Sequence, residues 1–411
     1  MKNQTPLEFY NLIKINPSPE IWLKSRKVKI RMLKILISNI KISLVRSGIP
    51  FHKFQLTKDS ARILFFFNNK DISNAIKDLK KVFGIYSFNP ALRTSNRIKN
   101  IVEKLILVGE KILQKGDTFA LRVKRSGKHE YTSQDIAEKG GQAIIDNFKN
   151  LNLKVNLSNP MKKIYVEVRG EFSYIYTEII KTEWGGLPIE KNKKILVPDI
   201  GRLSDLLAGF LLMKRGCEIY PILFQLTNDD YFLELQLSNW KELANYSPKR
   251  NFIIRKVNLI KIIEKIENIL KEKKYICAIC RLIRFESLSI ILKEFDIEGF
   301  DRIRAISDGV SLNNTSLCPD EVDLESIAFN YLFSKYPVFT PTIGLEANKV
   351  KELISKISRD LVNIDYCQFK PRNQEINIRR TFEELKTLYK SLNLNDLILE
   401  SLNNIEEIKI F

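Results

Sequence analysis

The chain has 411 residues, 44% hydrophobic and 28% charged, with five cysteines and a formal net charge of +19. This composition predicts a folded soluble protein of two or three domains; it excludes a bilayer span, which needs roughly 18–20 consecutive apolar residues, and a disulfide framework. The charge is uneven: residues 1–182 hold 34 of the 67 basic and 15 of the 48 acidic residues, the whole excess, while the remainder is balanced. One part is therefore expected to grip a polyanion and the other to do something else.

Residues 1–20 lack the apolar core and cleavage site of a signal peptide, and the scattered, odd-numbered thiols predict a reducing cytoplasm. Residues 20–46 place Val28, Met32, Leu33, Ile35, Leu36 and Ile40 at helical spacing, with Lys24, Arg26, Lys27, Lys29, Arg31 and Lys34 between them. No carboxylate occurs from Lys24 to Lys41, so this predicted helix offers an unopposed basic face to phosphates. A plain solvated surface is the alternative. A strand at ARILFFFNN, a helix from Asp71 to Val82 and a strand at GIYSFNPAL follow. Strand–helix–strand–strand–helix–strand is the order of a small ferredoxin-like unit, here ending near Pro90.

A second amphipathic helix is expected over 96–115. Phe119, Leu121 and Val123 then alternate with Ala120, Arg122 and Lys124, a half-buried strand with its cations outward. Arg125, Ser126, Gly127, Lys128 and His129 form a tight basic turn, and Thr132 or Ser133 caps the next helix. KVNLSN and KKIYVEVRGEFSYIYTEII read as strands.

From Lys193 the pattern changes. ILVPDI, EIYPILFQL, FIIRKVNL, YICAIC, RIRAISDG and YPVFTPT read as strands, with LAGFLLMKRG and NLIKIIEKIENILKEKK as helices between them. Such alternation predicts a doubly wound, mostly parallel sheet with its site at the strand C-termini. In ILVPDIGRLSDLLAGFLLMKRG a strand meets a helix across a turn, where free backbone N–H groups usually hold phosphate. This turn has one glycine, Gly201, followed directly by Arg202. Cys277 and Cys280 form a C-x-x-C, Cys367 lies in YCQFKPRN, and Cys217 and Cys318 read as structural or incidental. Residues 376–411 read as a charged helical tail.

The stretch Phe119–Asp146, with RVKRSGKHEYTS at its heart, resembles the THUMP domain, an RNA-binding module. The order of PEIWLKSRKVKIRMLKILISNI, that stretch, TEWGGLPIE and a strand-turn-helix is similar to the tRNA 4-thiouridine synthetase family, from about residue 10 to about residue 375. The resemblance implies a ferredoxin-like α+β domain at 1–92, a THUMP α/β domain at 93–182, an α/β PP-loop ATP-pyrophosphatase-like domain at 183–375 and a tail at 376–411. It implies tRNA held by shape and backbone, with Lys24, Arg26, Lys27, Arg31, Arg122, Lys124, Arg125, Lys128 and His129 as the candidate contacts. It also implies ATP and magnesium at a loop of pattern S-G-G-x-D-S, and a persulfide on Cys367.

LAGFLLMKRG sets the register of that loop on Ile200, Gly201, Arg202, Leu203, Ser204 and Asp205, and only Gly201 survives. Arg202 fills the space a second glycine would leave for phosphate, Ile200 removes a hydroxyl donor, and Asp205 sits one step past the expected aspartate, about 100° around a helix. The family's T-G-E-S is Asp308–Ser311, its R-P-L is Thr340–Thr342, and its D-K is Glu346–Ala347. These losses imply a retired adenylating centre, a pseudoenzyme. Some archaeal members carry a C-x-x-C linked to an iron–sulfur cluster, which Cys277, Cys280 and Cys367 would hold here. No rhodanese-like domain is included in the resemblance. Two functions stay open: a tRNA-binding protein without adenylation, and a working ATP-dependent sulfurtransferase. Expected partners are tRNA and, by resemblance, a second copy in a homodimer, with neither membrane nor DNA.

Overall fold

The computed structural model describes residues 7, 9–57, 59–270, 276–294, 303–311, 334–364, 366–369 and 387–411. The chain forms two compact units, Met1–Gly186 and Leu187–Phe411. Among the described residues no helix is long and apolar enough to cross a membrane.

In the first unit, β1 (Leu12–Pro17), α1 (Pro19–Trp22), α2 (Arg26–Arg46), β2 (Lys53–Leu56), β3 (Ile63–Phe66), α3 (Ile72–Leu79) and β4 (Ile85–Ser95) follow the ferredoxin-like order. Leu23–Ser25 interrupt the single helix expected over 20–46, because Ser25 takes an extended N-cap conformation from which α2 starts afresh. Met32, Leu33, Leu36, Ile40 and Leu44 are buried, while Arg26, Lys27, Arg31 and Lys34 stay out. Then come α4 (Ile98–Ile112), β5 (Thr118–Ser126), α5 (Ser133–Asn147), β6 (Lys154–Val155), β7 (Lys162–Arg169), β8 (Phe172–Tyr176) and β9 (Ile180–Lys181).

All nine strands belong to one sheet of order β2-β3-β1-β4-β8-β7-β5-β6, with β9 on β4. The continuous strand β4 pairs with β1 through its first half and with β8 through its second, so it runs through the expected boundary at residue 92. Leu121 faces the helices, where Gly140 of α5 approaches it closely. Alternation therefore sends Arg122, Lys124 and Ser126 to the other face, in register with Tyr165, Glu167 and Arg169 of β7.

The second unit contains β10 (Glu190–Asp199), α6 (Leu203–Lys214), β11 (Cys217–Gln225), α7 (Asp230–Ala244), β12 (Ile253–Asn258), α8 (Ile260–Ile269), α9 (Ile276–Glu294), β13 (Ile303–Ser307), β14 (Val338–Phe339), α10 (Ala347–Ile357), α11 (Asn395–Asn403) and β15 (Glu406–Lys409). The sheet order is β14-β13-β10-β11-β12-β15. The first five strands in this order run parallel and β15 antiparallel. The chain leaves β10 toward β11 and β12, then returns to β13 on β10's other side. The switch point of this doubly wound sheet thus lies at the end of β10.

Two expectations need correction. YICAIC, expected as a strand, falls in its described part within the 19-residue helix α9. Ile276, Ile279, Leu282, Ile283, Phe285, Leu288 and Ile291 are all buried there, and periodicity does not separate a helix apolar on every side from a buried strand. The tail is also more than helical. After α11, β15 extends the sheet beside β12, with Glu407 2.7 Å from Arg255 and Glu406 2.9 Å from Lys256. The expected structural role of Cys318 and the segment NNTSLCP lie outside the described residues.

Candidate functional site

On the face of the first sheet opposite α5, a charged cluster sits among aromatic rings. Lys14 of β1 is 1% exposed and ion-paired with Glu167 of β7, and its ammonium lies 4.3 Å over the Tyr176 ring. Arg169 holds Glu167 at 2.5 Å and Asp59 at 2.5 Å, and Arg62 stands 3.6 Å from Glu167. Burial alone would raise the Glu167 carboxyl; Lys14, Arg169 and Arg62 outweigh that and hold it near 2. Burial brings the Lys14 ammonium down to about 8 against the pull of Glu167. This pair floors a cavity of about 950 Å³, walled by Trp22, Leu23, Tyr86, Lys124, Arg125 and Ile179.

The cavity brings part of the expected set together. Lys124 is exposed and Arg125 half-buried on its wall, at the end of β5. Lys128 is exposed in the following turn, and His129 Nε2 lies 3.1 Å from the Gly170 carbonyl. Thr132 caps α5 with a full capping box to Asp135, which fixes the far side of the turn. Arg122 turns away to donate to the Leu157 carbonyl. Lys24, Arg26, Lys27 and Arg31 are exposed, but the wall takes the preceding Trp22 and Leu23 instead, with Lys29 4.4 Å over the Trp22 ring. Sequence reasoning missed Lys14 and Glu167. Their signal was a charge inside each of the apolar strands LIKINP and KKIYVEVR.

At the end of β10 the arrangement is the reverse. Gly201 has φ +99, which favours glycine, and its N–H donates to Asp199 Oδ1 at 2.7 Å. The Ile200 N–H donates to Asp205 Oδ2 at 3.2 Å. Arg202, 4% exposed, grips Asp205 with two bonds of 3.0 and 2.5 Å and reaches Asp308 at 3.4 Å. Arg281 of α9 holds the other oxygen of Asp308 at 2.5 Å. The Trp240 indole donates to Asp199 Oδ2 at 2.8 Å. Burial, then the neighbouring Asp205 charge, push the Asp199 carboxyl up to about 7. Ser204 is buried, and its hydroxyl has no hydrogen-bond partner among the described residues. Over the turn, Ile364 packs on Gly201 and donates its N–H to the Gly201 carbonyl at 3.3 Å. Asn239 of α7 secures that segment by two bonds to the Val362 backbone, 2.8 and 2.9 Å.

These residues do not fit a nucleotide's phosphates or their magnesium. The N–H groups of Ile200 and Gly201 are taken by Asp199 and Asp205, and the Arg202 charge is spent on carboxylates. Cys277 and Cys280 are buried on α9, Cys367 is half-buried against the same apolar core, and no group of three metal-ligating side chains occurs among the described residues. Asp199, Trp240 and Arg281 were missed as parts of this network; the two arginines in the apolar run of α9, Arg281 and Arg284, were the available sign.

Three family models match the chain in succession: the ThiI ferredoxin-like domain over residues 12–89, the THUMP domain over 94–178, and thiamine biosynthesis protein (ThiI) over 201–394. The chain is 29% identical to the "Probable tRNA sulfurtransferase" of Saccharolobus islandicus strain M.16.27, over 97% of this chain and all of that one. It is 25% identical to the protein of the same name from Methanosarcina mazei, over 95% of this chain and 94% of that one. The fold matches the crystal structure of a 4-thiouridine synthetase–RNA complex with bound ATP at a TM-score of 0.81, with 22% identity, covering 98% of this chain and all of that one. The class is thus an α/β protein that joins a ferredoxin-like and THUMP sheet to a ThiI-type doubly wound unit. That order of domains matches the tRNA 4-thiouridine synthetase, or tRNA sulfurtransferase, family.

Proposed function

We propose that this chain is a tRNA-binding protein of the family, acting in tRNA modification, that no longer carries out ATP-dependent adenylation. One observation carries the second half. The strand-end turn is saturated from within, its two N–H groups by Asp199 and Asp205 and its arginine by Asp205 and Asp308. A phosphate would have to displace two buried carboxylates to reach those donors, at a cost of several kcal/mol each in a low-dielectric site. RNA binding is assigned to the ferredoxin-like and THUMP domains, 1–92 and 93–182, on the basic turn Arg125–His129, Lys124 and the exposed face Lys24, Arg26, Lys27 and Arg31. Reduced thiols suit a cytoplasmic protein, and a homodimer is the assembly the family suggests.

Two measurements test the two halves. ATP with magnesium at millimolar concentration is expected to leave the Tm unchanged, since a ligand of the folded state must raise it. A Tm rise, or thiouridine formation in tRNA that is lost in Cys367→Ala, would reinstate the working sulfurtransferase. For RNA, Lys124→Glu with Lys128→Glu is expected to weaken tRNA binding about a hundredfold and to flatten its salt dependence. Unchanged affinity in that double variant would remove the basic turn from the interface.

A further inference from the structure

The segment that follows α10 crosses the closed turn at the end of β10 and is tied there to α7. Tyr246, just past α7, donates its hydroxyl to the Ile357 carbonyl at 3.1 Å. The buried Asn239 amide spans the Val362 backbone, donating to its carbonyl and accepting from its N–H. Ile364 is buried on Gly201, where a side chain at residue 201 would come within 3.1 Å of the Ile364 Cβ. Further along, the Tyr366 ring stacks on Phe232 of α7, 4.4 Å between centroids and 2° from parallel. Gly201, the glycine that remains of the S-G-G-x-D-S pattern, is thus a seat for Ile364.

These ties lie near the surface. Val362, Asn363 and Tyr366 are exposed, while Ile364 among them is buried. Segments held by few buried contacts open at a fraction of the free energy of global unfolding. Cys367 follows Tyr366 directly, and Phe369, two residues later, is 6% exposed in the apolar core of the second unit. The half-buried thiol therefore sits between a surface tie on α7 and a deep anchor in the core. A thiol reacts only when it can be reached, so release of Val362 and Tyr366 from α7 sets the exposure of Cys367. The same release lifts Ile364 from the turn, because its one bond there, from its N–H to the Gly201 carbonyl, is a long 3.3 Å.

We propose that this segment is a strap, latched on α7 by Asn239 and Phe232, whose release uncovers the Gly201 turn and the Cys367 thiol together. Asn239→Ala in the full-length protein tests it, by iodoacetamide alkylation followed peptide by peptide in mass spectrometry, with amide hydrogen exchange alongside. Cys367 should be alkylated about tenfold faster, from the loss of two hydrogen bonds. Cys217, at the start of β11 and so at the opposite end of the sheet, should keep its rate. The Ile364 amide should exchange faster as well, although its acceptor is Gly201 and not Asn239. Phe232→Ala cuts the other latch and should speed alkylation of Cys367 about threefold. An unchanged Cys367 rate in both variants would overturn the strap. So would a Cys217 rate that rises in step with that of Cys367, or faster exchange confined to the Val362 amide.

Discussion

The two units use arginine and lysine at strand ends in opposite ways. In the first, Lys124 and Lys128 stay exposed, Arg125 lines a wide cavity, and the buried cations beneath are balanced by Glu167 and Asp59. In the second, Arg202 and Arg281 are 4% and 2% exposed, and their charge is consumed by Asp205 and Asp308. A charge left in water costs little and attracts a polyanion from a distance; a charge buried against its own carboxylates attracts nothing. The difference lies in where the compensating charge comes from, not in residue type.

Removing one cation from each unit gives the largest contrast. Arg202→Ala leaves Asp205 buried without its bidentate partner, and is expected to destabilise the second unit by about 3–5 kcal/mol. Lys124→Ala, at an exposed site, should cost within about 0.5 kcal/mol. Hydrogen exchange of the β10 and α6 amides, against those of β5 and β7, reads both at once. If Arg202→Ala costs less than about 1 kcal/mol, the turn was not held by that pair and the contrast fails.

The fold was largely legible because its periodicities were strong: the ferredoxin-like order, the capped helix after RVKRSGKH and the β10–α6 junction all appear where the residues place them. The C-x-x-C helix was not, since an apolar run gives the same signal in a buried strand and a buried helix. The C-terminal strand was hidden for another reason. Glu406 and Glu407 carry no hydrophobic alternation, and their place is set by Arg255 and Lys256, some 150 residues away. The departure of the turn from S-G-G-x-D-S could be read from Ile200 and Arg202, but not what those residues contact. The pairing of Arg202 with Asp308, and of Gly201 with Asp199, depends on β10 and β13 being neighbours and on a turn that bends back on its own strand. Lys14 and Glu167 were unreadable as a pair for the same cause: 153 residues separate them.

The pH response should separate the units in sign. Asp199 rises from 3.8 to about 7 on folding, so its contribution to stability is full below about pH 4 and is lost as pH climbs through 7. Glu167 falls from 4.5 to about 2, so its contribution is full above about pH 4.5 and is lost only toward pH 2. Between pH 5.5 and 7.5 the β10 amides should therefore lose protection, by on the order of 2 kcal/mol, while β7 stays level. Hydrogen exchange corrected for its intrinsic pH dependence measures this, and Asp199→Asn should abolish the slope. A matching slope in β7 would mean that the two networks do not differ as described.

The smallest effect concerns how the basic turn is held. Thr132 Oγ1 accepts from the Asp135 N–H at 3.1 Å, and Asp135 Oδ2 accepts from the Thr132 N–H at 2.6 Å. Thr132→Ala removes one arm of this box and should loosen the first turn of α5 by about 1 kcal/mol. Affinity for tRNA should change by less than about threefold, because the turn has two other anchors: His129 Nε2 at the Gly170 carbonyl, 3.1 Å, and the Tyr131 hydroxyl donating to the Asn96 carbonyl. Binding titrations at fixed salt decide it. A tenfold loss would show that the cap itself sets the geometry presented to phosphate, and that the open face of the first unit is as dependent on one local bond as the closed turn of the second is on Arg202.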